Sequence, residues 1–141
     1  MDFISNGLES LDNISKRIID ASKKTKIITF HGEIGSGKTT LIKKILYNMN
    51  VKDLVKSPTF SIVNEYLTFE NKLIYHFDFF RIQNEFQALE IGFDEYLCSD
   101  NHCLIEWPEK IKNLLPSELL KIKIKLLEDN KRQISVIKNF H

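Results

Sequence analysis

The sequence predicts an α/β fold of three layers, with helices on both faces of a mixed sheet that has a parallel centre and antiparallel hairpins. Residues 26–49 read as a strand, a glycine-rich loop and a helix in that order, which is typical of a parallel sheet. Residues 59–77 and 119–138 each contain two alternating segments around a polar turn, which is typical of a hairpin. Together these patterns favour a sheet of mixed direction within one domain, 1–141.

An amphipathic helix is predicted first along the chain. Apolar side chains recur at spacings of three and four between Leu8 and Ala21: Leu8, Leu11, Ile14, Ile18 and Ile19. This period places them on one face of a helix, where a core can bury them.

The next segment contains a phosphate-binding loop, Gly32-Glu33-Ile34-Gly35-Ser36-Gly37-Lys38-Thr39, which is a complete G-x-x-x-x-G-K-[ST] motif. A β-branched and aromatic strand, 26–31, precedes the loop. A helical pattern follows it, carried by Leu41, Ile42, Ile45 and Leu46. A strand before the loop and a helix after it are the context that the motif requires. The sequence therefore predicts a P-loop NTPase-like fold that binds a nucleoside triphosphate.

Each residue type in the loop has a physical role. Glycines at 32, 35 and 37 let the backbone turn tightly and wrap its N–H groups around phosphates. Lys38 supplies positive charge to the β- and γ-phosphates, and the Thr39 hydroxyl suits Mg²⁺. The following helix directs its positive dipole end at the same anion, and Thr40 adds a second hydroxyl nearby.

The remaining segments read as short strands and helices joined by turns. A loop is expected at Ser57-Pro58-Thr59, because the residue before a proline avoids the helical region. We predict strands at 59–66, 73–77 and 103–105, a turn at 70–71, a helix at 84–91 that ends at Gly92, a helix from Trp107-Pro108 to about Leu115-Pro116, and a last hairpin at 119–127 and 133–138.

Two carboxylates stand where apolar strands end. Asp78 follows the strand at 73–77, and Glu106 follows the strand at 103–105. Ligands of α/β folds bind at that edge of the sheet, so both residues are candidates to hold Mg²⁺ or orient an attacking group. Trp107, the only tryptophan, is either a core residue or an aromatic wall of the site. Three interpretations remain open for Arg81: an ion pair with Asp78, a contact with phosphate, or an ordinary ion pair on the surface.

Composition excludes several classes of protein. The net charge of +1 excludes a globally basic nucleic-acid binder, although residues 110–141 carry +5 and the rest −4. No stretch approaches the roughly 18 consecutive apolar residues of a membrane span, and no signal peptide is visible, so we expect a cytoplasmic protein with no membrane partner. Two cysteines and four scattered histidines predict no metal cluster.

The ordered set of motifs resembles one known family. After the P-loop come Ser57-Pro58-Thr59-Phe60, then residues 76–81 (His-Phe-Asp-Phe-Phe-Arg), then residues 105–109 (Ile-Glu-Trp-Pro-Glu). This order and the chain length look like the bacterial TsaE (YjeE) family of ATPases for tRNA threonylcarbamoyladenosine biosynthesis. The resemblance covers nearly the whole chain and implies an ATPase that works with TsaD and TsaB. It implies that tRNA is a partner indirectly, through that complex, and leaves open whether tRNA contacts this subunit itself.

The resemblance also implies roles for individual residues. Residues 35–40 (Gly35, Ser36, Gly37, Lys38, Thr39 and Thr40) would hold the phosphates of ATP, and Thr39 and Glu106 would ligate Mg²⁺. Asp78 would be the essential acid, Thr59 would belong to a loop that senses the γ-phosphate, and Trp107 would lie near the site. Ser10 weakly matches a family position near the nucleotide, and Arg132 is a comparably weak match for a position on the adenine side.

The chain departs from the family pattern at two places. Phe80 stands where the family usually has a tyrosine, which removes a hydroxyl. Residues 33–34 (Glu-Ile) replace a more usual Asp-Leu, where the backbone does the binding.

A small-molecule kinase of the P-loop class is the alternative interpretation. Such kinases usually carry an arginine-bearing lid, and residues 83–101, the only room for one, contain no arginine.

Overall fold

The computed structural model describes residues 1–56 and 62–139. The strands in these ranges are β1 Asp2–Ser5, β2 Ile27–His31, β3 Val51–Lys56, β4 Val63–Thr68, β5 Leu73–Asp78, β6 His102–Glu106, β7 Leu119–Leu126 and β8 Arg132–Asn139. The helices are α1 Leu8–Ala21, α2 Lys38–Asn48, α3 Glu85–Glu90 and α4 Phe93–Leu97, with 3₁₀ helices at Pro108–Leu114 and Glu128–Asn130.

These strands form one sheet in the order β1-β8-β7-β2-β6-β5-β4-β3. The central strands β7, β2, β6 and β5 run parallel to one another. The flanking pairs are antiparallel on both sides. The predicted mixed sheet with a parallel centre and antiparallel hairpins is therefore confirmed.

Helices cover both faces of the sheet. On one face, the apolar stripes of α1 and α2 pack against Ile28, Phe30 and Leu104. On the other, α3, α4 and the 3₁₀ helix Pro108–Leu114 pack against Phe77 and Ile105. Neighbouring residues such as 104 and 105 face opposite layers because side chains alternate along a strand. Burial on both faces explains why β6 is apolar from Cys103 to Ile105.

Several elements differ from the predictions. The short edge strands β1 and β3 and the helix α4 were not predicted, and the helix after Trp107 is 3₁₀. The strand predicted at 59–66 is observed from Val63 onward, and the loop predicted at Ser57-Pro58-Thr59 lies outside the described residues. In the part of the chain that the structure describes, the longest helices are too short and too polar to cross a bilayer.

Candidate functional site

The phosphate-binding loop and the two predicted carboxylates meet at one edge of the sheet because three parallel strands end there. β6 lies between β2 and β5, and its register pairs Glu106 with Phe30 on one side and with Asp78 on the other. The loop that follows β2 therefore begins beside both carboxylates. This is the edge at which open α/β sheets bind their ligands.

The loop turns into α2 through two glycines with positive φ. Gly35 has φ of 81° and Gly37 has φ of 104°, and Gly37 directly precedes the first helical residue, Lys38. A side chain on Gly37 would also meet Arg132, since a Cβ built there lies 2.6 Å from its Nε. That Nε donates a hydrogen bond to the Ser36 carbonyl oxygen over 2.7 Å. The final hairpin, β7 and β8, thus contacts the loop through Arg132.

Lys38 is buried beneath the loop. Its Nζ donates to the Gly32 carbonyl oxygen over 2.7 Å and lies 3.7 Å from the centre of the Trp107 ring. Burial lowers the pKa of Lys38, and the nearby carboxylates of Glu106, Glu109 and Asp78 oppose that shift. The ammonium group is therefore held by a carbonyl dipole and an aromatic face, both of which a phosphate can replace.

Trp107 fills both of the roles that the sequence left open. Its side chain packs against the apolar core on the side of α3 and α4, while its ring contacts Lys38 and lies 5.0 Å from the Phe80 ring. Its backbone has φ of 58°, which is uncommon for a bulky residue and costs conformational energy. The strained residue directly follows Glu106.

The two carboxylates have different surroundings. Asp78 is exposed, and its Oδ1 accepts a hydrogen bond from the backbone N–H of Phe80 over 3.0 Å. Glu106 is buried, and its Oε2 lies 2.7 Å from Nε2 of His76. Arg81 is exposed and makes no ion pair with any residue in the described ranges. Of its three alternatives, neither the pairing with Asp78 nor another surface ion pair is therefore observed there.

Sequence reasoning missed His76. The four histidines are scattered along the sequence, yet His76 lies on the same face of β5 as Asp78, two residues before it. The signal was available: a histidine two residues before a strand-end acid shares its side of the sheet.

A cavity of about 430 Å³ joins these groups. Its walls combine the loop, the start of α2, the two strand-end acids and the final hairpin: Glu33, Ile34, Gly35, Gly37, Lys38, Thr39, Thr40, Asp78, Phe80, Glu106, Trp107 and Arg132.

The donor set of this cavity suits Mg²⁺ together with phosphate. A threonine hydroxyl and carboxylates are hard oxygen ligands, and Mg²⁺ typically takes one or two carboxylates and completes its shell with substrate phosphates and water. Among the described residues no cluster of three His, Cys, Asp or Glu side chains is placed to enclose a metal. Within the loop, Ser36 Oγ is buried without a hydrogen-bond partner in those ranges.

A second, smaller cavity of about 160 Å³ adjoins the first. The two share Gly37, Thr40 and Arg132, and the smaller one is otherwise lined mainly by apolar residues of α1, α2, β7 and β8, with Ser5 and Gly7: Leu8, Leu11, Leu41, Ile124 and Ile134.

Of the two weakly matched positions, Arg132 lines both cavities, whereas Ser10 lines neither. The Ser10 hydroxyl accepts from the backbone N–H of Asn6 over 3.1 Å and donates to the Gly7 carbonyl over 3.0 Å. It therefore holds the turn before α1, next to the cavity wall. Thr59 lies outside the described residues.

A family model and individual proteins similar to this chain carry the same description. A family model described as "Threonylcarbamoyl adenosine biosynthesis protein TsaE" matches residues 5–134. A Bacillus subtilis protein named tRNA threonylcarbamoyladenosine biosynthesis protein TsaE is 35% identical over 127 residues, which cover 90% of this chain and 78% of that protein. A protein of the same name from Aquifex aeolicus is 31% identical over 130 residues, covering 91% and 89%.

The fold is shared with a solved structure. The crystal structure of Bacillus subtilis YdiB superposes with a TM-score of 0.78 at 28% sequence identity, and the match covers 100% of this chain and 86% of that one.

Proposed function

The chain belongs to the TsaE family of threonylcarbamoyl adenosine biosynthesis proteins, and from this membership we propose that it is the ATP-binding and ATP-hydrolysing subunit of the tRNA-modifying assembly. In this proposal it has a P-loop NTPase-like fold, depends on Mg²⁺ and acts in the cytoplasm with TsaD and TsaB. It does not transfer the threonylcarbamoyl group itself. Its ATP turnover lets the complex cycle, and tRNA is engaged through the partners.

One observation carries the proposal. The phosphate-binding loop, the lysine at the start of α2 and the two strand-end carboxylates all line one cavity of about 430 Å³. The first N–H groups of α2 have no partner within the helix and point toward this space, where the helix dipole favours an anion. In this proposal a triphosphate satisfies these donors, and the carboxylates that line the same cavity meet the metal that accompanies it.

The residues of the chain divide the work of hydrolysis. Lys38 exchanges its contacts with the Gly32 carbonyl and the Trp107 ring for the β- and γ-phosphates. Thr39 and Glu106 hold Mg²⁺, which when bound neutralises charge on those phosphates. Asp78, exposed at the cavity, orients the water that attacks the γ-phosphorus in line with the departing ADP oxygen. These groups stabilise charge that develops in the transition state, and no covalent intermediate forms.

The smaller cavity is the proposed site for the base. It adjoins the phosphate cavity at Gly37, Thr40 and Arg132, and its largely apolar walls suit a flat aromatic ring. The guanidinium of Arg132 stands at the junction of the two spaces, which agrees with the weak expectation that it lies on the adenine side.

The first experiment is ATP hydrolysis by the purified protein, alone and with TsaD and TsaB. We expect weak activity alone that rises when the pair is added, because partners complete the site. Activity that is unchanged when TsaD and TsaB are added, but that requires a small-molecule acceptor, would establish the kinase alternative and reject this proposal.

A matched pair of variants tests the metal assignment. Glu106→Gln removes the charge of the buried carboxylate and keeps its size, so we expect Mg²⁺-dependent turnover to fall by about 100-fold or more, as for loss of several kcal/mol of metal stabilisation. Glu90→Gln changes a carboxylate on the exposed surface of α3 and serves as the control. Near-normal turnover by Glu106→Gln, in a variant with an unchanged circular dichroism spectrum, would reject the assignment.

A further inference from the structure

A short polar contact at the carboxylate edge joins a histidine to the buried acid. His76 Nε2 lies 2.7 Å from Glu106 Oε2, and the two side chains are only 13% and 6% exposed. A carboxylate accepts hydrogen bonds and cannot donate them, so the imidazole donates from Nε2. Nδ1 on the far side of the ring is buried and has no hydrogen-bond partner within the described residues. Within the described residues, Glu106 is thus the one hydrogen-bond partner of the His76 ring.

The register of the sheet brings these two side chains together. Residue 76 precedes Asp78 by two positions on β5, and Asp78 is the register partner of Glu106 on β6. His76 and Glu106 are therefore diagonal neighbours on one face, within reach of a long side chain. The contact engages Oε2 and leaves Oε1 as the carboxylate oxygen available to the cavity that Glu106 lines.

We infer that His76 is a positioning residue, which fixes the Glu106 carboxylate so that its free oxygen meets Mg²⁺ in the nucleotide cavity. The inference rests on the proposed function, since it needs a metal bound at Glu106. A buried carboxylate with a single hydrogen bond can rotate about its last torsion once that bond is lost, and the oriented donor is then no longer presented. Hydrogen-bond partners of ligating carboxylates characteristically govern metal affinity in this way.

The test compares two amides of different reach. In His76→Gln the side-chain amide nitrogen can occupy the place of Nε2 and donate to Glu106. In His76→Asn the amide reaches only the position of Nδ1 and leaves the carboxylate without its partner. The matched control is His102→Asn, a half-buried histidine at the opposite end of the neighbouring strand, whose Nε2 lies 3.1 Å from Ser22 Oγ.

The readout is binding, measured by calorimetry on each folded variant. Mg²⁺ is titrated into protein saturated with a non-hydrolysable ATP analogue, and the affinity for the analogue itself is measured separately in EDTA. We expect His76→Asn to weaken Mg²⁺ binding by about 10- to 100-fold, with unchanged affinity for the analogue in EDTA. His76→Gln and His102→Asn should stay close to wild type. If His76→Asn does not fold, His76→Leu, which fills the space without a donor, replaces it.

Each other outcome is decisive. If Glu106→Gln loses Mg²⁺ affinity while His76→Asn keeps it, the positioning role is wrong and the proposed function stands. If Asn and Gln at position 76 weaken Mg²⁺ equally, or if affinity falls equally in EDTA, His76 is a packing residue and the inference is overturned. If Glu106→Gln itself binds Mg²⁺ normally, the metal assignment fails, and the inference fails with it.

Discussion

Gly37 and Gly35 offer a comparison in which the structure predicts unequal effects from the same substitution. Both have positive φ, at 104° and 81°, so alanine at either position suffers backbone strain of about 1–2 kcal/mol. At Gly35 nothing lies within 4 Å of the added Cβ, whereas at Gly37 it lies 2.6 Å from Arg132 Nε and 3.1 Å from its Cδ. Gly37→Ala must therefore also displace Arg132.

The displacement has a calculable cost. Arg132 Nε donates to the Ser36 carbonyl oxygen over 2.7 Å, and a hydrogen bond from a charged group contributes about 1.5–3 kcal/mol. Gly37→Ala should accordingly lower the free energy of unfolding by about 2.5–5 kcal/mol in total, and Gly35→Ala by only about 1–2 kcal/mol.

The assay is urea unfolding of four proteins in a double-mutant cycle: wild type, Gly37→Ala, Arg132→Ala and the double variant. Once Arg132 is truncated, the added methyl group meets no obstacle, so Gly37→Ala in the Arg132→Ala background should cost no more than Gly35→Ala does alone. Equal losses for Gly35→Ala and Gly37→Ala, or additivity in the cycle, would refute the argument that Arg132 presses against the loop.

Two further predictions concern groups outside the cavity. Burial, with Lys121 and Lys123 adding to it, lowers the pKa of His31 from 6.5 to about 4. The unfolded chain therefore binds a proton that the native state excludes, and stability should fall as pH drops from 6.5 toward 4, by at most about 3 kcal/mol. His31→Gln should flatten this part of the pH dependence of urea unfolding, and an unchanged slope would contradict the assignment. Burial raises the pKa of the Cys103 thiol to about 12, while Cys98 is exposed. Ellman's reagent should therefore label one thiol in the native protein and the second only after unfolding, and Cys98→Ser should abolish the native reaction.

How far the sequence predicts this fold depends on how local each signal is. The helix at 8–21 and the last hairpin were predicted because their periodicity lies within one segment. The edge strand β1 has only four residues and pairs with β8 from the other end of the chain, so no local pattern marks it. In β3, register shifts on either side of 53–54 break the alternation that would reveal a strand.

The same distinction applies to the site. The loop and the two acids stood out because an anion-binding motif and a charge at the end of an apolar strand are visible in a few consecutive residues. The contact between His76 and Glu106 depends on the pairing of β5 with β6, across 30 residues of sequence. Arg132 reaches the loop across 96 residues of sequence. Its clash with a side chain introduced at position 37 therefore cannot be predicted without the position of the final hairpin.

The strand order explains why such distant residues form one site. β2 and β5 each pair in parallel with β6, so the ends of all three strands fall at the same edge regardless of the length of chain between them. Glu106 lies at the centre of this arrangement, between Asp78 and Phe30, and the phosphate-binding loop begins two residues after Phe30. Trp107 comes directly after Glu106 and has a strained, positive φ. The chain turns there, and the Trp107 ring covers Lys38. The strain is therefore located where the acid and the aromatic wall must both face the cavity, which is the kind of position at which backbone strain serves a function.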